Sequence, residues 1–139
     1  MTTSLCLPEH IAFGHETDAI DLAGLTEDDA PVLRELIARA GVAVFRGQHL
    51  DDAGFVRMLA LLGPMTFTPG ETPLADQPQL NAVSNVGRTT PPRSVFHTDS
   101  SYFEAPPAFT ALRAVQVPES GGATLFSDQV AALKRLPAA

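Results

Sequence analysis

The chain has 139 residues, of which 45% are hydrophobic and 18% charged, enough apolar content for one soluble domain with a modest core. Nine Lys and Arg against sixteen Asp and Glu give a formal net charge of −7, which argues against a nucleic-acid partner because the few basic residues are scattered along the chain. Cys6 is the single cysteine, the opening residues lack a basic and then apolar leader, and no apolar run approaches the roughly 20 residues of a membrane span. The expectation is a cytoplasmic protein in a reducing compartment, with no membrane partner and no intramolecular disulfide.

In chain order, the first predicted element is a helix ending at Ala40. Asp28 or Asp29 is placed to cap it, Pro31 falls in its first turn, Leu33, Leu36, Ile37 and Ala40 share one face, and Gly41 terminates it. Residues 42–45, a short apolar run between Gly41 and Gly47, read as a buried strand. A second helix follows, with Asp51 as N-cap, Phe55, Met58, Leu59 and Leu62 at helical spacing, and Gly63-Pro64 as its stop. Residues 64–78 are rich in Pro, Gly and Thr and suit a long functional loop.

Further strands are expected at residues 80–85, at 95–97 and, beyond the Pro106-Pro107 interruption, at 109–117. The doubled proline Pro91-Pro92 marks a loop between the first two, carrying Arg88 and Arg93. After a Gly121-Gly122 turn, residues 123–126 form another short strand. Ser127 or Asp128 then caps a last helix whose Val130, Leu133 and Leu136 face inward. Helices first and strands later predict a mainly β fold with flanking α-helices. About five strands, against eight for a closed jelly roll, make that core incomplete.

Two His-x-Asp pairs stand out, His49-Leu50-Asp51 and His97-Thr98-Asp99. In extended backbone residues i and i+2 share a face, so an imidazole and a carboxylate so spaced can converge on one metal ion, with a donor set suited to iron(II), manganese or zinc. The spacing alone is weak, since four His and nine Asp give one such pair by chance in roughly a quarter of chains of this composition. Asp51 already has work as a helix cap, which assigns the first pair to structure. For the second pair, spacing leaves open a plain turn in which Asp99 caps backbone amides and His97 packs on Phe96.

The surrounding residues decide. Val95-Phe96-His97-Thr98-Asp99-Ser100-Ser101-Tyr102 resembles the iron-binding segment of the taurine dioxygenase and TfdA-type family of 2-oxoglutarate-dependent oxygenases. Pro106-Pro107, the run from Thr110 to Val117, and Pro118-Glu119-Ser120-Gly121-Gly122-Ala123-Thr124-Leu125-Phe126-Ser127-Asp128 follow in that family's order. Upstream, Gly14 to Asp18, Asp21-Leu22, Gly41 to Gln48 and Gly63-Pro64 are similar to its amino-terminal layout.

The resemblance implies an incomplete double-stranded β-helix, a jelly-roll, cupin-like core, with residues 1–139 forming a single domain that is the amino-terminal portion of the dioxygenase domain. It implies Fe(II) as cofactor, held by His97 and Asp99 as two members of a two-histidine, one-carboxylate triad. It also implies 2-oxoglutarate as cosubstrate, with Thr124 on its distal carboxylate, and dioxygen with a small-molecule substrate approached by Thr68, Asn85, Ser100, Ser101 and Tyr102. The implied reaction is hydroxylation-type oxidation coupled to decarboxylation of 2-oxoglutarate to succinate.

The resemblance also calls for a downstream histidine and arginine, and neither has a match. No histidine follows His97, and the only arginines after Asp99 are Arg113 and Arg135. Truncation is favoured over supply of the rest by a separate polypeptide, so self-association through unfinished strand edges, or a missing carboxy-terminal half, is expected. The alternative is a noncatalytic binding or assembly domain derived from the family.

Overall fold

The computed structural model describes residues 5–67, 70–84 and 95–137. The chain divides into two compact units, Met1–Gln48 with Ala114–Ala139, and His49–Arg113.

In the first unit, strand β1 (His15–Thr17) pairs in parallel with β2 (Ala43–Phe45) in the register His15↔Ala43, Glu16↔Val44, Thr17↔Phe45. The pairing continues one step further, where Arg46 N–H donates to the Thr17 carbonyl at 2.8 Å. Residues 42–45 were expected to be a strand and three of them are. β1 was not foreseen, because a three-residue polar run has no alternation to read. The amide of Gln48 locks the segment after β1 to the end of β2. It accepts from Leu22 N–H and donates to the Ile20 and Arg46 carbonyls, each at 2.8 Å.

Between the strands lie 3-10 turns at Leu22–Gly24 and Glu27–Asp29 and helix α1 (Ala30–Ala40). Leu33 and Leu36 are fully buried and Ala30 and Ala40 complete the inward stripe, each buried leucine contributing about 1.5–3 kcal/mol. Gly41 ends the helix with φ +67°. A Cβ there would lie 2.9 Å from ring carbons of Phe13, so both backbone and space demand glycine. Asp29 occupies the expected cap position, but its carboxylate turns away from the helix. It accepts from Thr26 N–H at 3.0 Å, from the Thr26 hydroxyl at 2.8 Å and from Leu5 N–H at 3.0 Å.

Helix α2 (Asp52–Leu62) belongs to the second unit. Asp51 Oδ1 accepts from Gly54 N–H at 2.6 Å, Phe55 and Met58 are buried, and Gly63 ends the helix at φ +140°. This helix follows the sequence expectation throughout, and the structure gives Asp51 the capping duty assigned to it.

The mainly β expectation fares differently. Among the described residues the only sheet is the β1–β2 pair. Residues 80–84 make a single antiparallel bridge, Pro73↔Asn81, while residues 95–97, 109–117 and 123–126 form no ladder. β-branched runs supply propensity, but a strand exists only where a neighbour takes up its backbone groups. The last helix, α3 (Gln129–Lys134), starts at Asp128 as expected, with Asp128 Oδ1 accepting from Ala131 N–H at 2.9 Å. Its face does not point inward: Val130, Leu133 and Leu136 are 65–69% exposed, a correction to the sequence reading. Periodicity reports which face an amphipathic helix would bury, not whether a surface is there to receive it. No helix among the described residues is long and apolar enough to cross a membrane.

Candidate metal centre

His97 and Asp99 lie in the second unit, on the irregular segment leading into a turn at Asp99–Tyr102. The turn is closed by Phe103 N–H donating to the Ser100 carbonyl at 3.0 Å. The Tyr102 and Phe103 rings meet edge to face at 4.7 Å between centroids. His97 Nε2 stands 3.1 Å from Asp99 Oδ1, with the two side chains 69% and 54% exposed. On its other side, His97 Nδ1 lies 2.9 Å from the Val95 carbonyl oxygen, which can only accept, so Nδ1 carries the proton.

These two contacts raise the His97 pKa above the ordinary histidine range, the Val95 carbonyl first and the Asp99 charge second. The ring lies between the Val95 carbonyl and the Asp99 carboxylate. With Nδ1–H committed to the carbonyl, Nε2 is the nitrogen left to bind a metal ion, the backbone-oriented arrangement common for histidine ligands.

The pair suits such an ion. Two donors about 2.0–2.2 Å from one first-row metal and at a right angle to each other stand about 3 Å apart, close to the separation found here. One imidazole nitrogen and one carboxylate oxygen form a donor set of the kind iron(II) accepts. Among the described residues no group of three His, Cys, Asp or Glu converges, so the clip has two members.

The other predicted site residues distribute as follows. Ser100, Ser101 and Tyr102 form the turn directly after the clip, Ser100 half-buried and the other two exposed. Thr124 is exposed and belongs to the first unit, two residues beyond Gly121 and Gly122, both in the left-handed region at φ +76° and +72°. Thr68 and Asn85 lie outside the described residues, as do Arg88 and Arg93.

Sequence reasoning missed two features. The Val95 carbonyl that orients His97 is a backbone group and leaves no signature. Arg113 is the other: it donates to the Leu50 carbonyl and the Asp52 carboxylate, with its guanidinium 5.8 Å from the Phe55 ring centroid. An arginine inside an apolar run was the available signal that it had a partner.

A small, two-donor nitrogen and oxygen clip behind a tight turn defines a candidate mononuclear metal protein. Comparison with known proteins makes the class specific. The chain belongs to the Taurine catabolism dioxygenase TauD, TfdA family, whose description matches residues 5–139. Enzymes of this family have a cupin-like fold and depend on iron(II) and 2-oxoglutarate.

The chain is similar to the alpha-ketoglutarate-dependent sulfonate dioxygenase of Saccharomyces cerevisiae, 30% identical over 135 residues that cover 88% of this chain and 33% of that protein. It is also similar to the alpha-ketoglutarate-dependent sulfate ester dioxygenase of Pseudomonas putida, 33% identical over 106 residues covering 76% and 35%. The alpha-ketoglutarate-dependent 2,4-dichlorophenoxyacetate dioxygenase of Cupriavidus pinatubonensis is 28% identical over 148 residues covering 94% and 52%. The chain thus spans between a third and about half the length of these relatives. No solved structure matches it with significance.

Proposed function

We propose that residues 1–139 are the amino-terminal part of an iron(II)- and 2-oxoglutarate-dependent dioxygenase domain that oxidises a small molecule while converting 2-oxoglutarate to succinate. The observation that carries this reading is the 3.1 Å approach of His97 Nε2 and Asp99 Oδ1 in a chain of this family. When bound, iron(II) with 2-oxoglutarate and dioxygen supplies the oxidation of a C–H bond. His97 and Asp99 hold the metal, and Val95 fixes the ring so that Nε2 faces it. Thr124 donates its hydroxyl to the distal carboxylate of 2-oxoglutarate, and Thr68, Asn85, Ser100, Ser101 and Tyr102 contact the substrate.

A third histidine and an arginine fork for 2-oxoglutarate are supplied by sequence beyond these residues, in line with the share of each relative that the chain spans. The same sequence provides strand partners for residues 109–117 and 123–126 and covers the bare face of α3. The test is to supply iron(II), 2-oxoglutarate, ascorbate and oxygen to residues 1–139 and to the same residues continued to the length of the relatives, and to measure succinate. Succinate from the longer protein supports the reading. No succinate from either favours a noncatalytic binding or assembly domain.

A further inference from the structure

Tyr102 is the single tyrosine of a chain that has no tryptophan, and it stands three residues after Asp99. The turn around it opens at Ser100, whose φ is +54°, and closes where Phe103 N–H donates to the Ser100 carbonyl at 3.0 Å. Tyr102 is 73% exposed, whereas Phe103 is half-buried. Their rings meet at 4.7 Å between centroids and 60° between planes, the edge-to-face geometry that aromatic pairs prefer. Among the described residues Phe103 is the aromatic ring in contact with Tyr102, and the Tyr102 hydroxyl has no hydrogen-bond partner.

We infer that Phe103 is a positioning residue that holds the Tyr102 ring in one orientation on the turn after the His97–Asp99 pair. This rests on the reading of Tyr102 as a substrate contact. A tyrosine ring standing mostly in water is free to occupy more than one staggered rotamer, and neither deep burial nor a hydrogen bond of its hydroxyl selects one here. An edge-to-face partner does select one, because such a pair is favoured over its separated rings by about two- to tenfold. Phe103, the half-buried member, is the more fixed of the two, so it restrains Tyr102 rather than the reverse. A ring already in place costs a substrate less ordering, and apparent affinity scales with the fraction of molecules in which the contact is ready. Loss of Phe103 therefore weakens the binding of a substrate that packs on Tyr102 by up to about tenfold and leaves the turnover of bound substrate unchanged.

With one tyrosine in the chain, 3-fluorotyrosine incorporated into the 139 residues gives a single fluorine resonance that reports this ring alone. Its transverse relaxation slows when the ring gains motion of its own. The test compares that relaxation in wild type, Phe103→Leu and Phe103→Trp, with circular dichroism as a check on folding. Wild type is expected to relax as an ordered part of the chain, Phe103→Leu at least about twofold more slowly, and Phe103→Trp, which restores a ring, close to wild type.

Wild-type relaxation in a folded Phe103→Leu protein would overturn the inference. So would a wild-type resonance that relaxes as slowly as in the urea-unfolded chain, a result that needs no variant to fold. Mn(II) added to the same samples separates this inference from the reading beneath it. Broadening of the resonance that disappears in Asp99→Ala supports a Tyr102 ring beside the metal pair. No broadening would remove Tyr102 from the metal's surroundings, while the relaxation of Phe103→Leu still decides the role of Phe103.

Discussion

Arg113 sets its guanidinium on the Asp52 carboxylate and the Leu50 carbonyl, tying the end of the second unit to the first turn of α2 across 61 residues of sequence. Its side chain is only 27% exposed, so the pair is shielded more than a surface ion pair. A cation at a helix N-terminus opposes the helix dipole, and here the Asp52 charge offsets that cost. Replacing Arg113 by Ala removes both hydrogen bonds and the packing on Phe55, and is expected to destabilise the protein by about 1.5–3 kcal/mol. Arg113→Lys keeps the charge without the planar fork and should recover only part of it. Urea unfolding of the three proteins checks this, and equal midpoints would contradict it.

Asp29 contributes to the acid sensitivity of the first unit. Hydrogen bonds from Leu5 N–H, then Thr26 N–H and the Thr26 hydroxyl, hold its carboxyl below the usual aspartate value. A carboxyl depressed in the folded state contributes stability that is fully present above its unfolded value of about 3.9 and is lost as pH falls through the lower folded value. Unfolding midpoints measured between pH 7 and pH 2 should therefore drop in the acid part of the range. Asp29→Asn should be less stable than wild type at pH 7, with the difference shrinking below pH about 4. A constant difference would contradict the assignment.

Two leucines separate true core from bare face. Leu33→Ala empties a fully buried position in α1 and is expected to cost about 2–5 kcal/mol. Leu133→Ala in α3 removes a side chain that is 69% exposed and should change the stability of the 139-residue chain by less than about 0.5 kcal/mol. Thermal unfolding of both variants is the measurement, and a large loss in the Leu133 variant would show that α3 is packed.

The sequence made α1 and α2 legible because each carries its own start, stripe and stop. Asp51, Phe55, Met58 and Gly63 act within twelve residues of one another and need no distant partner. The strands were not legible in the same way. Residues 109–117 have the composition of a strand, yet pairing depends on a neighbour elsewhere, and the described residues offer none.

The same division runs through the site. His97 and Asp99 were singled out because their neighbours, from Val95 to Tyr102, resemble an iron segment, whereas in the equally spaced pair His49 and Asp51 the aspartate serves a helix cap. The Val95 carbonyl and the left-handed Ser100 backbone were invisible, since neither a main-chain acceptor nor a torsion angle is written in residue types.

His97 and Asp99, and not His49 and Asp51, are proposed to hold the metal. Mn(II) titration of His97→Ala, Asp99→Ala, His49→Ala and Asp51→Ala, with urea unfolding of each, tests this most directly. The first two variants are expected to lose at least about tenfold in affinity. Asp51→Ala is expected to keep wild-type affinity and to lose about 1 kcal/mol of stability as the cap of α2 disappears. Wild-type metal binding in His97→Ala and Asp99→Ala, or loss of it in His49→Ala and Asp51→Ala, would contradict this assignment.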